Sequence, residues 1–219
     1  MKIYFDHLSG FGKVSDYELI VNCSYGILDP SDSQSEALST GWVPWKGRWY
    51  NERSTRIDLN DYRPSKTTRR LSNKIAAKHA TFGNYDDMYK AYCEYNGFKR
   101  DIYDYSDCNV IEYYTDRLVG VSIYKIVGGE FVAYQFITDY SDPKLSLGSV
   151  AQMFECQYAA SIGCKYVYLM AGYENCCRYK ANYHGFEFWT GYEWSRDIEL
   201  YNKLIDRDES YDIRTIQPH

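Results

Sequence analysis

The stretch from residue 118 to residue 170 constrains the fold of this chain more than any other. Two apolar runs, "LVGVSIYKIV" and "EFVAYQFIT", flank Gly128-Gly129, a pair that favours a tight β-hairpin. A loop then leads to Gly148, to a helix-like run at about 149–162 and to the strand-like "KYVYLM". This order predicts two parallel strands joined by a right-handed helical crossover. The inward stripe of the predicted helix consists of Ala151, Phe154, Tyr158 and Ile162.

Three shorter patterns precede this unit. "NVIEYYT" at residues 109–115 is typical of a strand, and "YDDMYKAYCEYNGF" has apolar residues at helical spacing before Gly97. "RPSKTTRRLSNKIAAKHATFG" predicts a longer helix that begins at Pro64-Ser65 and ends at Gly83 at the latest. Helices and mainly antiparallel strands in this order predict an α+β protein with a mixed sheet.

The predicted helix after Pro64 carries a basic face. Lys66, Arg70, Lys74 and Lys78 recur every four residues, so they would lie on one side of that helix. A charged stripe is commonly a solvated surface. This stripe is nearly free of acidic residues, although the chain has a net charge of −5. Contact with a phosphate backbone is therefore as well supported as a solvated surface. The acidic net charge argues against a globally basic nucleic-acid coat.

The first third of the chain is polar and rich in turns, and its aromatic residues are concentrated at Trp42, Trp45, Trp49 and Tyr50. We interpret this group as a small aromatic core rather than as a platform for stacking bases. The predicted organisation is therefore a small aromatic-rich lobe at residues 1–80, ending in the basic helix, and a catalytic domain at residues 81–219.

Several classes of site and location are disfavoured by the sequence. None of the seven cysteines forms a C-x-x-C pair, so we expect neither structural zinc nor an iron–sulfur cluster. The adjacent Cys176 and Cys177 are interpreted as reduced thiols that are either reactive or simply packed. The chain has no apolar run of the ~20 residues that a membrane span needs, and its start does not resemble a secretory signal. We therefore expect a cytoplasmic protein with no membrane partner.

Antiparallel strands followed by one strand–helix–strand crossover form the layout of the GCN5-related N-acyltransferase fold. In that fold, backbone N–H groups at the start of the crossover helix hold a phosphate of the donor. Enzymes of this fold that use acetyl-CoA have an [R/Q]-x-x-G-x-[G/A] loop at this place. This chain has "PKLSLGSV", with one glycine of the two. The usual coenzyme A site is therefore not present in the sequence.

Four motifs together resemble one family within this fold. "TDYSDPKLSLG" resembles that family's "YDPDYSDLSLG", and "AGYENCCRYK" resembles its "GYYIHSCPKMRYK". "ALSTGWVPWKGRWYNE" and "YRPSKTTRRLSNKI" resemble its "LLDRGWRRSGRYLYRP" and "FRPSRSQRRVLKRN". In their order along the chain, over roughly residues 20–195, the motifs resemble the arginyl- and leucyl-tRNA–protein transferases, the aminoacyltransferases of the N-degron pathway.

The resemblance implies transfer of an amino acid from aminoacyl-tRNA to the N-terminus of an acceptor protein or peptide. It implies no cofactor besides aminoacyl-tRNA as co-substrate, no metal and no DNA partner. Asp139 would orient or deprotonate the acceptor amine, or would instead only cap its loop. The predicted catalytic residues are Asp139, Tyr173 and Lys180. The predicted substrate- and tRNA-binding residues are Arg56, Arg63, Lys66, Arg69, Arg70, Lys74, Ser146 and Gly148.

Departures from the family pattern keep two other functions open. Gly26 and Ser54 stand where the family has cysteines, and the segment from Gly172 to Lys180 is shortened. These changes are compatible with a non-catalytic relative that binds tRNA or N-termini. An acyl-CoA N-acyltransferase is the other alternative, and the single glycine of the loop argues against it. Arg56 and Lys180 are also suited to bind an acidic side chain of the acceptor.

Overall fold

The computed structural model shows an α+β protein built on an eight-stranded mixed sheet, accompanied by a four-stranded sheet and a two-stranded ribbon. It describes residues 1–6, 10–14, 17–20, 23–51, 53–98, 105–172 and 174–210. The predicted α+β class with a mixed sheet is therefore confirmed.

Fourteen strands and five α-helices form the described part of the chain. The strands are β1 (Lys2–Asp6), β2 (Gly10–Val14), β3 (Tyr17–Ile20), β4 (Cys23–Ile27), β5 (Val43–Trp45), β6 (Arg48–Asn51), β7 (Ser54–Asp58), β8 (Ala76–Thr81), β9 (Asn109–Tyr114), β10 (Leu118–Val127), β11 (Glu130–Thr138), β12 (Tyr166–Ala171), β13 (Phe186–Trp189) and β14 (Trp194–Ser195). The helices are α1 (Gln34–Ser39), α2 (Lys66–Ser72), α3 (Asp86–Asn96), α4 (Leu147–Ser161) and α5 (Ile198–Ser210), and the 3₁₀ helices lie at Pro143–Leu145 and Asn175–Asn182.

The strand order of the large sheet is β14-β13-β7-β12-β11-β10-β9-β8. The predicted hairpin is present, since β10 and β11 pair antiparallel across Gly128 and Gly129, which have φ values of 57° and 84°. The predicted crossover is present too, because α4 connects β11 to β12 and these two strands pair in parallel. Antiparallel strands followed by this crossover have the layout of the GCN5-related N-acyltransferase fold.

Side chains that alternate along the central strands bury two faces of the large sheet. Phe131 and Val167 belong to a core that α2 and α4 cover. Their neighbours Val132 and Tyr168 belong to another core, which contains Trp42 and Trp49 of the N-terminal region. The tryptophans therefore pack against the large sheet itself, so the aromatic core predicted for the N-terminal lobe is shared with it.

The prediction of one helix from Pro64 to Gly83 was wrong. α2 ends at Ser72, and Ala76–Thr81 forms β8, an edge strand that pairs antiparallel with β9. Pairing with β9 outweighs the helix propensity of the alanine-rich segment, as tertiary contacts commonly do. Lys78 consequently lies on a strand opposite Glu112, and the four lysine and arginine residues do not share a helical face.

The predicted inward stripe of α4 was partly wrong. Ile162 follows the helix and is 45% exposed, whereas Ala151 is buried as predicted. The fully buried side of α4 also includes Gln152 and Glu155, two polar residues that the apolar stripe omitted.

The chain passes from the four-stranded sheet to the large sheet between β6 and β7. The four-stranded sheet ends with β6 at Asn51, and β7 is already an inner strand of the large sheet. The division into residues 1–80 and 81–219 stays a prediction; β7 lies before this boundary and β8 spans it, and both strands belong to the large sheet. Within the described chain, no helix is long and apolar enough to cross a bilayer.

Arg56 is buried on β7, and its guanidinium lies 3.7 Å from the ring centre of Tyr166 and 3.9 Å from that of Trp194. Its Nε donates to Glu187 Oε2 at 2.7 Å, and Glu187 also accepts from Arg196 at 2.9 Å. Buried charges of this kind need their partners because the protein interior cannot solvate them. The pair therefore joins β7 to β13 inside the sheet.

Replacing Glu187 by leucine is expected to lower the free energy of unfolding by about 3–5 kcal/mol, because the buried Arg56 then lacks its carboxylate. Urea denaturation followed by circular dichroism measures this loss. Glu94→Ala is the matched control, since it breaks the exposed pair with Lys90 and should cost no more than about 0.5 kcal/mol. Similar losses in the two variants would contradict a stabilising role for the buried pair.

Candidate active site

The centre of the sheet opens between its two parallel strands. β11 and β12 pair only at Phe131–Val132 and Val167–Tyr168. Beyond that point each strand has an irregularity: an extra residue in β11 near Tyr134, and one in β12 near Met170, which has φ 60°. Bulges bend a strand and increase its twist. The two strands therefore diverge and leave a cleft of about 870 Å³ between them.

The cleft reaches both faces of the sheet. Tyr89 and Tyr92 on its wall pack with the core under α3, whereas Leu147 on its wall packs with the core under α4. The principal lining residues are Tyr89, Tyr92 and Asn96 of α3, Tyr134, Phe136 and Thr138 of β11, Ser146 to Ser149, Gln152 and Glu155 around α4, Leu169 to Ala171 of β12, and Glu174, Cys176, Cys177 and Lys180 of the segment that follows.

Lys180 fixes the irregular end of β12. The residue is 8% exposed, and its Nζ donates to the carbonyls of Leu169 and Ala171 at 2.8 and 2.6 Å. The carbonyl between them, of Met170, accepts from Thr55 Oγ1 at 2.9 Å. All three carbonyls of the bulge thus have partners, which a buried backbone requires. An ammonium has three donors, and the described residues give partners for two of them, so the third is available to a ligand in the cleft.

Two thiols and a carboxylate lie beside Lys180. Glu174 Oε2 accepts from Cys176 Sγ at 3.1 Å, and Cys177 Sγ lies 3.7 Å from the carbonyl of Ala171. The interaction with the neighbouring Cys176 thiol and the positive charge of Lys180 lower the pKa of Cys177, although burial opposes the shift. The cleft therefore has two adjacent thiols on one wall, of which Cys177 ionises more readily.

Glu155 is the buried carboxyl of the cleft. It lies on the inner side of α4, is 4% exposed, and has the hydroxyl of Ser122 as a hydrogen-bond partner. Burial raises the pKa of Glu155 to about 7, and the Ser122 hydrogen bond opposes this shift. A carboxyl that titrates near neutral pH is suited to accept and return a proton.

Asp139 has the opposite environment. It follows β11, and its Oδ1 accepts from the backbone N–H of Ser141 at 2.8 Å while Oδ2 pairs with Arg117. The Ser141 hydrogen bond, with Arg117, lowers the pKa of Asp139 below its ordinary value. This geometry is typical of a turn-capping aspartate, so an ionised Asp139 is a weak base. Its predicted catalytic role stays a prediction.

The loop residues predicted to hold the donor lie at the cleft. Ser146, with φ 47°, precedes α4, and both Ser146 and Gly148 line the cleft. The first N–H groups of a helix and its dipole attract negative charge. The start of α4 can therefore receive a phosphate or a carboxylate group at the mouth of the cleft.

Of the other predicted residues, those that the structure describes lie outside the cleft lining. Arg63, Lys66, Arg69, Arg70 and Lys74 are exposed around α2, which packs against α4. Arg56 is buried in its pair with Glu187, away from the cleft lining. Tyr173 lies outside the described residues. Their binding and catalytic roles stay predictions.

The sequence interpretation missed Glu155 and Gln152. The signal was present, because both are polar residues within the apolar run "VAQMFECQYAA". Glu155 follows Ala151 by four residues and therefore shares its inward side. A polar residue on the buried side of a helix generally has a partner or a function.

The family model described as "Arginine-tRNA-protein transferase, C terminus" matches residues 67–190. No curated protein matches the chain.

Two solved structures are similar at 10% sequence identity. L-PGS from Bacillus licheniformis has a TM-score of 0.42, with 54% of this chain and 45% of that chain covered. The C-terminal domain of an Agrobacterium fabrum protein described as a lysylphosphatidylglycerol synthetase has a TM-score of 0.44, with coverages of 63% and 51%. The chain thus spans about half the length of these structures.

The pKa of Glu155 predicts how stability depends on pH. The folded protein keeps a proton up to about pH 7, whereas an unfolded chain releases it near pH ~4.3. The folded state binds more protons between these values, so stability falls as pH rises through this window. Glu155→Gln should remove this loss, which amounts to roughly 3 kcal/mol. Urea denaturation of both proteins at pH 4.5 and 7.5 measures it; parallel pH profiles would contradict the raised pKa.

Proposed function

The chain belongs to the arginine-tRNA-protein transferase family, and from this premise we propose that it transfers an aminoacyl group from aminoacyl-tRNA to the N-terminal α-amine of a protein or peptide. The observation that carries the proposal is the family match over residues 67–190, which cover more than half of the chain. All residues that line the cleft fall within this range. The match confirms the family that the sequence motifs predicted.

The reaction exchanges an ester for an amide and needs no separate energy source. The acceptor amine attacks the ester carbonyl, a C–N bond forms, and a tetrahedral oxyanion develops. When the oxyanion collapses, the C–O bond to the terminal ribose breaks and the tRNA leaves as a free hydroxyl. The amine loses one proton and the ribose oxygen gains one. The protein therefore has to align two substrates, stabilise the oxyanion and move a proton.

The cleft offers separate positions for the two substrates. The start of α4 at Ser146–Ser149 would receive a phosphate of the donor's terminal nucleotide, and the exposed basic residues around α2 would contact the tRNA further along its backbone. Because the opening between β11 and β12 reaches both faces of the sheet, the acceptor can enter from the side opposite to the donor.

We assign the proton transfer to Glu155 and the charge stabilisation to Lys180. The raised pKa of Glu155 suits a base for an α-amine, whose own pKa is near ~8. The ammonium of Lys180 is held rigidly by two carbonyls, so it is already oriented for a developing oxyanion. Asp139 holds the loop that leads to the donor position.

The test is a transfer assay with purified protein, total charged tRNA and peptides that differ in their N-terminal residue. Mass spectrometry should detect peptides extended by one amino acid, and arginyl-tRNA is the first single donor to test. Deacylated tRNA is the control. Peptides without added mass, in a preparation that binds tRNA, would identify a non-catalytic relative and refute the proposal.

Two isosteric variants distinguish the proposed roles of the Glu155 and Asp139 carboxyl groups. Glu155→Gln should slow single-turnover transfer by roughly 10²–10⁴-fold, the usual effect of losing a proton-transfer group, while tRNA affinity is kept. Asp139→Asn should lower the melting temperature and leave the rate per folded molecule nearly unchanged. The reverse pattern would return the catalytic role to Asp139.

The basic surface around α2 can be tested separately from the chemistry. Arg70→Glu and Lys74→Glu should each weaken tRNA binding and flatten its salt dependence by about one unit of log–log slope per lost phosphate contact. Lys203→Glu, at an exposed position on α5, makes the same charge change and should have little effect. Equal losses in all three variants would show a general charge effect rather than a tRNA-binding surface.

A further inference from the structure

The segment after β12 contains a cluster of metal-ligating side chains that the transfer reaction does not use. One carboxylate oxygen of Glu174 and the sulfur atoms of Cys176 and Cys177 all lie within 4.8 Å of one another. Cys176 is exposed, while Glu174 and Cys177 are half-buried, and all three line the cleft. An ion could therefore reach the cluster from solvent.

Local backbone geometry brings the three ligand atoms together. Glu174 immediately precedes the 3₁₀ helix at Asn175–Asn182, and the two cysteines lie in its first turn. The thiol of Cys176 already donates to the Glu174 carboxylate at 3.1 Å. A metal ion bound between these two atoms would replace the thiol proton, so no large rearrangement is required.

The donor set selects the kind of ion. Two thiolates and one carboxylate favour a thiophilic ion such as Zn²⁺ over Mg²⁺ or Ca²⁺, which prefer oxygen ligands. Three protein ligands leave the fourth tetrahedral position for water or a substrate oxygen. We expected no structural zinc because no two cysteines have C-x-x-C spacing. The three ligands proposed here follow a different pattern, E-x-C-C.

Lys180 balances the charge of such a site. Two thiolates and a carboxylate carry three negative charges, of which Zn²⁺ neutralises two. The ammonium of Lys180, fixed by the carbonyls of Leu169 and Ala171, supplies the third positive charge beside Cys177. The occupied site would be neutral overall, which favours its formation in the partly buried wall of the cleft.

We propose that Glu174, Cys176 and Cys177 form a binding site for one Zn²⁺-like ion on the wall of the cleft. The bound ion joins the residue before the 3₁₀ helix to the helix's first turn on the wall of the cleft. This site is independent of whether the chain transfers amino acids.

Metal titration of the reduced protein tests the proposal without an activity assay. Cd²⁺ and Co²⁺ should each bind with one ion per chain, giving thiolate-to-metal charge-transfer absorption, and Zn²⁺ should displace Co²⁺. Cys176→Ser and Cys177→Ser should weaken Cd²⁺ binding by at least about 100-fold, since even outer-shell changes cost 10–100-fold. Glu174→Gln should also weaken binding, and the absorption per ion should persist because both thiolates remain.

Cys164→Ala is the matched control, because Cys164 is a buried thiol outside the cleft lining. It should bind Cd²⁺ as the parent does. Far-ultraviolet circular dichroism establishes that each variant is folded. Absence of a one-to-one charge-transfer signal in the parent would overturn the proposal. So would a signal that survives in the Cys176 and Cys177 variants, because it would place the ion on other cysteines.

Discussion

The ammonium of Lys180 lies between the carbonyls of Leu169 and Ala171, on either side of a residue in the left-handed conformation. An ordinary strand would direct such carbonyls towards a neighbouring strand and continue the sheet. Here a side chain takes that place, and Thr55 satisfies the carbonyl of Met170. The bulge can therefore persist, and β12 can turn away from β11 after two paired positions. The cleft depends on this substitution of side-chain donors for strand pairing.

The rest of the site follows from the opened sheet. The crossover from β11 to β12 has to begin where β11 leaves the sheet, so the start of α4 lies at the mouth of the cleft. Helix α4 then runs back over the sheet and buries one of its own sides against it. Glu155 lies on that buried side and lines the cleft. On the far side of β12, β7 and β13 are held together by Arg56 and Glu187. Thr55 lies on β7 of this pair of strands, and its hydroxyl donates to the Met170 carbonyl in the bulge.

Much of this architecture could be predicted from the sequence, because its signals are local. Gly128-Gly129 determines the hairpin, and the period of "VAQMFECQYAA" between two strand-like runs determines the crossover. The boundary of α2 could not be predicted in this way, since "AAKHAT" has helical composition and becomes a strand only by pairing with β9. The placement of Arg56 also depends on tertiary contacts, because only folding brings Glu187, 131 residues later, to its guanidinium. Glu155 was within reach of sequence analysis, but an apolar stripe alone does not reveal a buried carboxyl.

Two carboxyl groups at one cleft have acquired opposite properties from their surroundings. Asp139 has a backbone N–H and a guanidinium as partners, which favour the ionised form. Glu155 is buried, which favours the neutral form up to about pH 7, although the hydrogen bond with Ser122 opposes this effect. Environments that separate the pKa values of neighbouring acids commonly divide their roles between charge and proton transfer. The matching aspartate of the family's motif made Asp139 the first candidate, whereas these surroundings are the reason why we propose proton transfer by Glu155 and a loop-organising role for Asp139.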